Sequence, residues 1–131
     1  MSEARVKMQD SEIFTEEHEQ IRATVRRFAK SLAPFAEEWD HAGIFPREVF
    51  NQAGELGLLG IGHDPEYGGL GLDWWYTVCY AEELVHSNCA GVNLGLMVQS
   101  DMATPIINEI GNDEVKREFL EPAIAGEKIA A

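Results

Sequence analysis

The stretch "TEEHEQIRATVRRFAKSLAPFAEEWDHAG", residues 15–43, decides the fold class. Ile21, Val25, Phe28, Leu32, Ala36 and Trp39 recur at spacings of three and four, which lays one apolar stripe along a helix. Thr15 offers a capping hydroxyl, and Glu16 and Glu17 place negative charge where the helix dipole favours it. Pro34 falls inside the run, but the stripe keeps its phase across it. The spacing therefore predicts one kinked helix to about Asp40, ending before Gly43.

Outward from there the same signals repeat. Pro46 suits a first helical position, Val49, Phe50, Ala53 and Leu56 form a second stripe, and Gly57 suits its stop. Asp73 caps a third helix striped by Trp74, Val78, Ala81 and Val85. A fourth runs from about Ala90, is weakened by Gly91 and Gly95, bends near Pro105 and finishes at Gly111. Asn112 caps a short fifth helix with Val115, Phe119 and Leu120 inward, and Pro122 opens a last turn. The expected architecture is all-α: about five helices in an orthogonal or bundle-like domain, with a glycine-rich loop between the second and third. The ending "GEKIAA" reads as the start of an unpaired strand, so residues 1–131 are expected to be a fragment of a longer protein.

Composition narrows the partners. Ten Lys and Arg against 23 Asp and Glu give a net charge of −13. Such a chain repels nucleic acid and anionic lipid unless a basic patch is concentrated somewhere. The densest basic cluster, Arg22, Arg26 and Arg27, is mixed with acids and reads as a solvated helix face. The longest uncharged stretch, Cys89 to Ser100, is too short to span a bilayer. Cys79 and Cys89, read as sharing one helix, would be about 15 Å apart and unable to pair. The expectation is a cytoplasmic protein that neither binds nucleic acid nor inserts in a membrane.

The loop "PEYGGLGLDWW", residues 65–75, imitates G-x-G-x-x-G at Gly69, Gly71 and Trp74. A tryptophan stands at the third glycine and no strand precedes it, so the plainer reading is a loop with positive φ angles held by Tyr67 and the two tryptophans. E-x-x-H occurs twice, at Glu38 with His41 and Glu83 with His86, as in ferritin-like di-iron bundles. The helical wheel turns these pairs away from the stripes, and Glu83 lies nearly opposite Val85. No catalytic residue, cofactor ligand or metal ligand stands out, and Ser11, Ser31, Ser87 and Ser100 lack a nucleophile context.

Taken in order, "FTEEHEQIRATVRRFA" (14–29), "EWDHAGIFPREVF" (38–50), "LGLLGIG" (56–62), "PEYGGLGLD" (65–73), "EEL" (82–84) and "PIINEIGNDEVKREFLEPAIAGE" (105–127) resemble the N-terminal helical domain of the acyl-CoA dehydrogenase family. "HSNCAG" and "QSDMATP" lean toward the long-chain-like branch. The resemblance implies a flavin enzyme carrying FAD that dehydrogenates acyl-CoA thioesters at the α and β carbons, with a glutamate base. It also implies that the base and most flavin contacts lie in absent β and C-terminal domains, so these 131 residues alone would be inactive and retain no FAD. By the same resemblance, Leu94, Met97, Val98 and Asp101 line the acyl tail. Met97 and Val98 fit a plain core role equally well, and Asp101 departs from the apolar residue common there.

Apolar residues spread around the helix from Ala90 to Ile110, which five short helices cannot cover, so self-association is expected. The electron acceptor is left open. A stand-alone helical interaction domain is the alternative, and a di-iron bundle a weaker one.

Overall fold

Pro34 bends the first helix without breaking it. The computed structural model, which describes residues 13–130, shows α1 over residues 16–42 as an α-helix Glu16–Leu32, a 3-10 turn Ala33–Phe35 and an α-helix Ala36–Ala42. The missing proline N–H is absorbed by the tighter turn. Gly43 then stops the helix in the left-handed region at φ 68°. Next come α2, Glu48–Glu55, and α3, residues 74–87, an α-helix Trp74–Glu83 closing in a 3-10 turn Leu84–Ser87. α4, residues 90–110, joins Ala90–Met97, a π-helical turn Val98–Ala103 and Pro105–Ile110. α5, residues 113–124, is built the same way from Asp113–Val115, Lys116–Leu120 and Glu121–Ile124. The described residues contain five helices and no strand.

Side-chain caps sit where the sequence puts them. Asp73 Oδ1 accepts from the Trp75 amide at 2.9 Å and Asn112 Oδ1 from Val115 at 2.9 Å. Each pairs an amide that the first helical turn leaves without a backbone acceptor.

The core gathers Val25, Phe28 and Leu32 of α1, Phe50 and Ala53 of α2, Tyr80 and Leu84 of α3, and Val92 and Leu96 of α4. Leu58, Leu59 and Ile61, from the connection at residues 56–73, complete it. That connection folds back on itself, with the Leu70 amide donating to Gly60 O and Leu72 to Ile61 O, both at 2.9 Å. A Cβ at Gly69 would stand 2.1 Å from the His63 carbonyl oxygen, so close backbone approach, rather than a phosphate, accounts for a bare residue there.

Several sequence expectations are overturned. α3 is rotated: Trp74 and Val85 are 69% and 63% exposed, whereas Thr77, Tyr80, Glu83 and Leu84 are buried. The reason lies across the interface with α1, where Arg22 and Arg26 meet Glu83 and draw it inward. Arg22 is therefore buried, not solvated. With Trp74 and Trp75 outward, only Tyr67 of the three loop aromatics is buried. In α5, Leu120 is buried but Val115 and Phe119 are not.

Cys79 lies on α3 and Cys89 just before α4, separated by a turn in which Asn88 takes a positive φ of 54°, and both are buried and free. Residues 128–130 form no strand. Instead the buried Gln99 amide donates to Ala123 O at 2.9 Å and Lys128 O at 2.7 Å, and its oxygen accepts from the Ala130 amide at 2.7 Å. Ser11 and Ala131 lie outside the described residues.

Candidate functional site

α4 is buried on one side by Val92, Leu96 and Gln99, and its other side is open. Leu94, Met102, Ile106 and Ile110 are 58%, 62%, 59% and 77% exposed. With Val98 they form a row at spacings of four, so the helix surplus seen in the sequence is a continuous apolar ridge facing outward. Leu94 falls on this side, with Met97 and Val98 at its margin. Leu94 is exposed, Met97 and Val98 are half-buried, and Met97 also packs on the core. Met97 therefore combines a core contact with a partly open face.

Asp101 differs from its neighbours. It lines a cavity of about 220 Å³ between α4, the start of α3 and the connection, together with Ile61, His63, Trp74, Thr77 and Asn108. The Asp101 Oδ2 atom is buried and has no hydrogen-bond partner among the described residues. Burial pushes its carboxyl up to about 6, against a partial pull downward from the Ser100 hydroxyl. Tyr80, fully buried, also has a hydroxyl without a partner. Burial, then the nearby Asp101 charge, raise its ionisation well above the ordinary range.

Two neighbouring hydroxyls donate to carbonyls of their own helix, while that of Tyr80 stays unpaired among the described residues. Ser100 Oγ donates to Leu96 O at 3.1 Å, and Thr104 Oγ1 to Gln99 O at 2.7 Å. With its proton so placed, Thr104 Oγ1 accepts from His63 Nε2 at 2.6 Å. Burial pushes His63 below its ordinary value, which keeps the ring neutral.

The E-x-x-H pairs diverge. Glu38 and His41 are exposed on α1. Glu83 faces inward, contrary to the helical wheel, but its oxygens accept from Arg26 Nε at 2.7 Å and Nη2 at 2.9 Å, with Arg22 Nη1 at 3.4 Å. His86 Nε2 stands 3.3 Å from it. Arg26 above all holds the Glu83 carboxyl below its usual range. Among the described residues no three His, Cys, Asp or Glu come together as a metal-binding group, and no helix is long and apolar enough to cross a membrane.

Trp74, Thr77, His63 and Asn108 surround Asp101 without any signal for it in the sequence. A stripe shows which residues share a face and not which face turns inward, so the pattern alone places Trp74 inside.

Solved structures define the class as an acyl-CoA dehydrogenase-type helical domain. An acyl-CoA dehydrogenase from Geobacillus kaustophilus matches with a TM-score of 0.82 and 34% identity, over 91% of this chain and 31% of that one. An acyl-CoA dehydrogenase from Bacillus anthracis, complexed with FAD, matches with a TM-score of 0.77 and 31% identity, over 90% of this chain and 20% of that one. The family model for the acyl-CoA dehydrogenase N-terminal domain matches residues 15–127, and the chain belongs to that family. The mitochondrial long-chain specific acyl-CoA dehydrogenase of Rattus norvegicus is 38% identical over 120 residues, which cover 91% of this chain and 27% of the rat protein. The long-chain lean of the sequence agrees with that relative.

Proposed function

We propose that this chain forms the N-terminal helical part of a flavin-dependent enzyme that dehydrogenates acyl-CoA thioesters between their α and β carbons. In this reading Leu94, Met97, Val98 and Asp101 form a wall of the acyl pocket. The observation that carries it is joint agreement in fold and sequence with acyl-CoA dehydrogenases over nine-tenths of the chain. The open side of α4 supports the wall, because its apolar row and the adaptable thioether of Met97 suit a hydrocarbon of variable shape.

These residues do not fit the flavin themselves. The cavities at Asp101 and beside Phe45 are about 220 and 230 Å³, small for a dinucleotide. A wider opening of about 520 Å³ is lined by Glu37 and Asp40 and by no Lys or Arg, which opposes a pyrophosphate. FAD and the glutamate base are therefore assigned to other parts of the enzyme, and the isolated chain is expected to bind no flavin. The exposed row of α4 supports burial against those parts or a second copy, and two buried, free cysteines suit the reducing cytoplasm.

The test is to assay the product of the complete reading frame with short, medium and long acyl-CoA substrates, alongside Met97→Trp and Val98→Trp. Filling the wall should lower kcat/KM for the longest chain about tenfold and spare the shortest. An unchanged chain-length profile would remove these residues from the pocket. Absence of any acyl-CoA oxidation would overturn the function.

A further inference from the structure

We propose that the cavity at Asp101 receives a hydrogen-bond donor, a hydroxyl or protonated amine, carried at the far end of an acyl group. This rests on the reading of α4 as an acyl wall and deepens it by naming the substrate class.

Buried carboxylate oxygens are nearly always hydrogen-bonded, and one that is not marks a missing partner. Asp101 Oδ2 is such an atom, and a cavity opens beside it. The fold offers little to fill the role. The Ser100 and Thr104 hydroxyls donate to backbone carbonyls of their own helix, and the His63 Nε2 proton goes to Thr104. No Lys or Arg lines the cavity, while Glu109 adds a second carboxylate at its edge. Donors on Trp74, Thr77 and Asn108 line the cavity and the Tyr80 hydroxyl lies nearby, but none of them bonds Asp101 Oδ2, and the electrostatics reject an anion.

Size and shape point the same way. At about 220 Å³ the space is below that of a typical small-molecule site, so it holds the end of a ligand rather than a whole one. Its apolar walls, Leu58, Ile61, Leu72 and Trp74, suit the last methylenes before a polar group. Asp101 lies about one turn beyond Met97 and Val98 along α4, which places the cavity at the end of the proposed acyl wall. A site that hydrogen-bonds a substrate hydroxyl discriminates strongly against the analogue lacking it, because the carboxylate is then left unpaired.

The test uses the 131-residue chain and three probes of equal length: 1-pentanol, pentylamine and 1-chloropentane. Amide shifts are followed by NMR. The expected result is shifts centred on Trp74, Thr77, Ser100 and Asp101, with the alcohol or amine bound about tenfold more tightly than the chloride. Asp101→Leu should abolish that preference. Asp101→Asn, which keeps the shape, should abolish any advantage of the amine over the alcohol. Equal binding of all three probes, shifts elsewhere, or a preference surviving in Asp101→Leu would overturn the inference, as would no binding at all.

A second arm separates this inference from the functional reading. The product of the complete reading frame is given a long acyl-CoA with and without a terminal hydroxyl. Preference for the hydroxylated form supports the inference. Equal turnover sinks it and leaves the acyl-CoA reading standing. Oxidation of neither form, with the alcohol still bound at Asp101 in the isolated chain, overturns the acyl-CoA reading and the acyl placement, leaving only a donor site.

Discussion

Glu83 and Asp101 are both carboxylates carried inward by helices of one small domain, and the fold treats them in opposite ways. Glu83, on α3, is clasped by Arg26 and Arg22 of α1 with His86 beside it, and its carboxyl is held below its usual range. Asp101, on α4, has an oxygen with no partner among the described residues, and burial pushes its carboxyl up to about 6. The first charge is complete within the domain and serves α1–α3 packing. The second costs stability as it stands, and it is the observation on which the proposed site rests. A buried and a half-buried carboxylate, both turned inward, are therefore set apart chiefly by their partners.

The largest effect should come from breaking the complete side of this contrast. Glu83→Ala removes the close partner of Arg26 and the 3.4 Å contact of buried Arg22, which keeps Glu82 at 2.6 Å, and should cost about 2 kcal/mol. Urea denaturation at neutral pH measures it, and a loss below about 1 kcal/mol would mean that the clasp is ornamental. The same carboxyl sets a pH dependence. Because its folded value is depressed below 4.5, its contribution is present above the ordinary carboxylate range and is lost as pH falls through the folded value.

A third carboxylate gives an exposed reference point. Asp73 caps α3 through the Trp75 amide, and Asp73→Ala should cost about 1 kcal/mol from loss of that bond. An unchanged melting temperature would show that the cap contributes nothing, and the exposed reference would be lost.

The smallest and most telling effect has the opposite sign. Asp101 is raised from 3.8 to about 6, so its contribution to stability is present below the ordinary value and lost as pH rises through 6. Asp101→Asn should stabilise the chain at pH 7 by somewhat under about 1 kcal/mol, discounted for partial exposure, and the gain should vanish by about pH 4. Destabilisation at both pH values would mean that the carboxylate holds a partner within the fold, and the contrast with Glu83 would collapse.

Local sequence determined the helices and the family. Thr15, Gly43, Asp73 and Asn112 mark starts and stops that depend only on a few neighbouring residues, and six ordered segments carry the family likeness. The surplus of apolar residues around α4 was also legible, and it became the exposed ridge. Tertiary structure alone decided which face of α3 turns inward. Trp74 and Val85 point out, against hydrophobicity, because Glu83 meets arginines 57 and 61 positions away. It also decided that Asp101 should sit beside Trp74 and Thr77 in a cavity with one oxygen unpaired. Periodicity counts apolar residues along a single helix. Which side is inside, and which buried charge is left without a partner, depends on atoms contributed by distant parts of the chain.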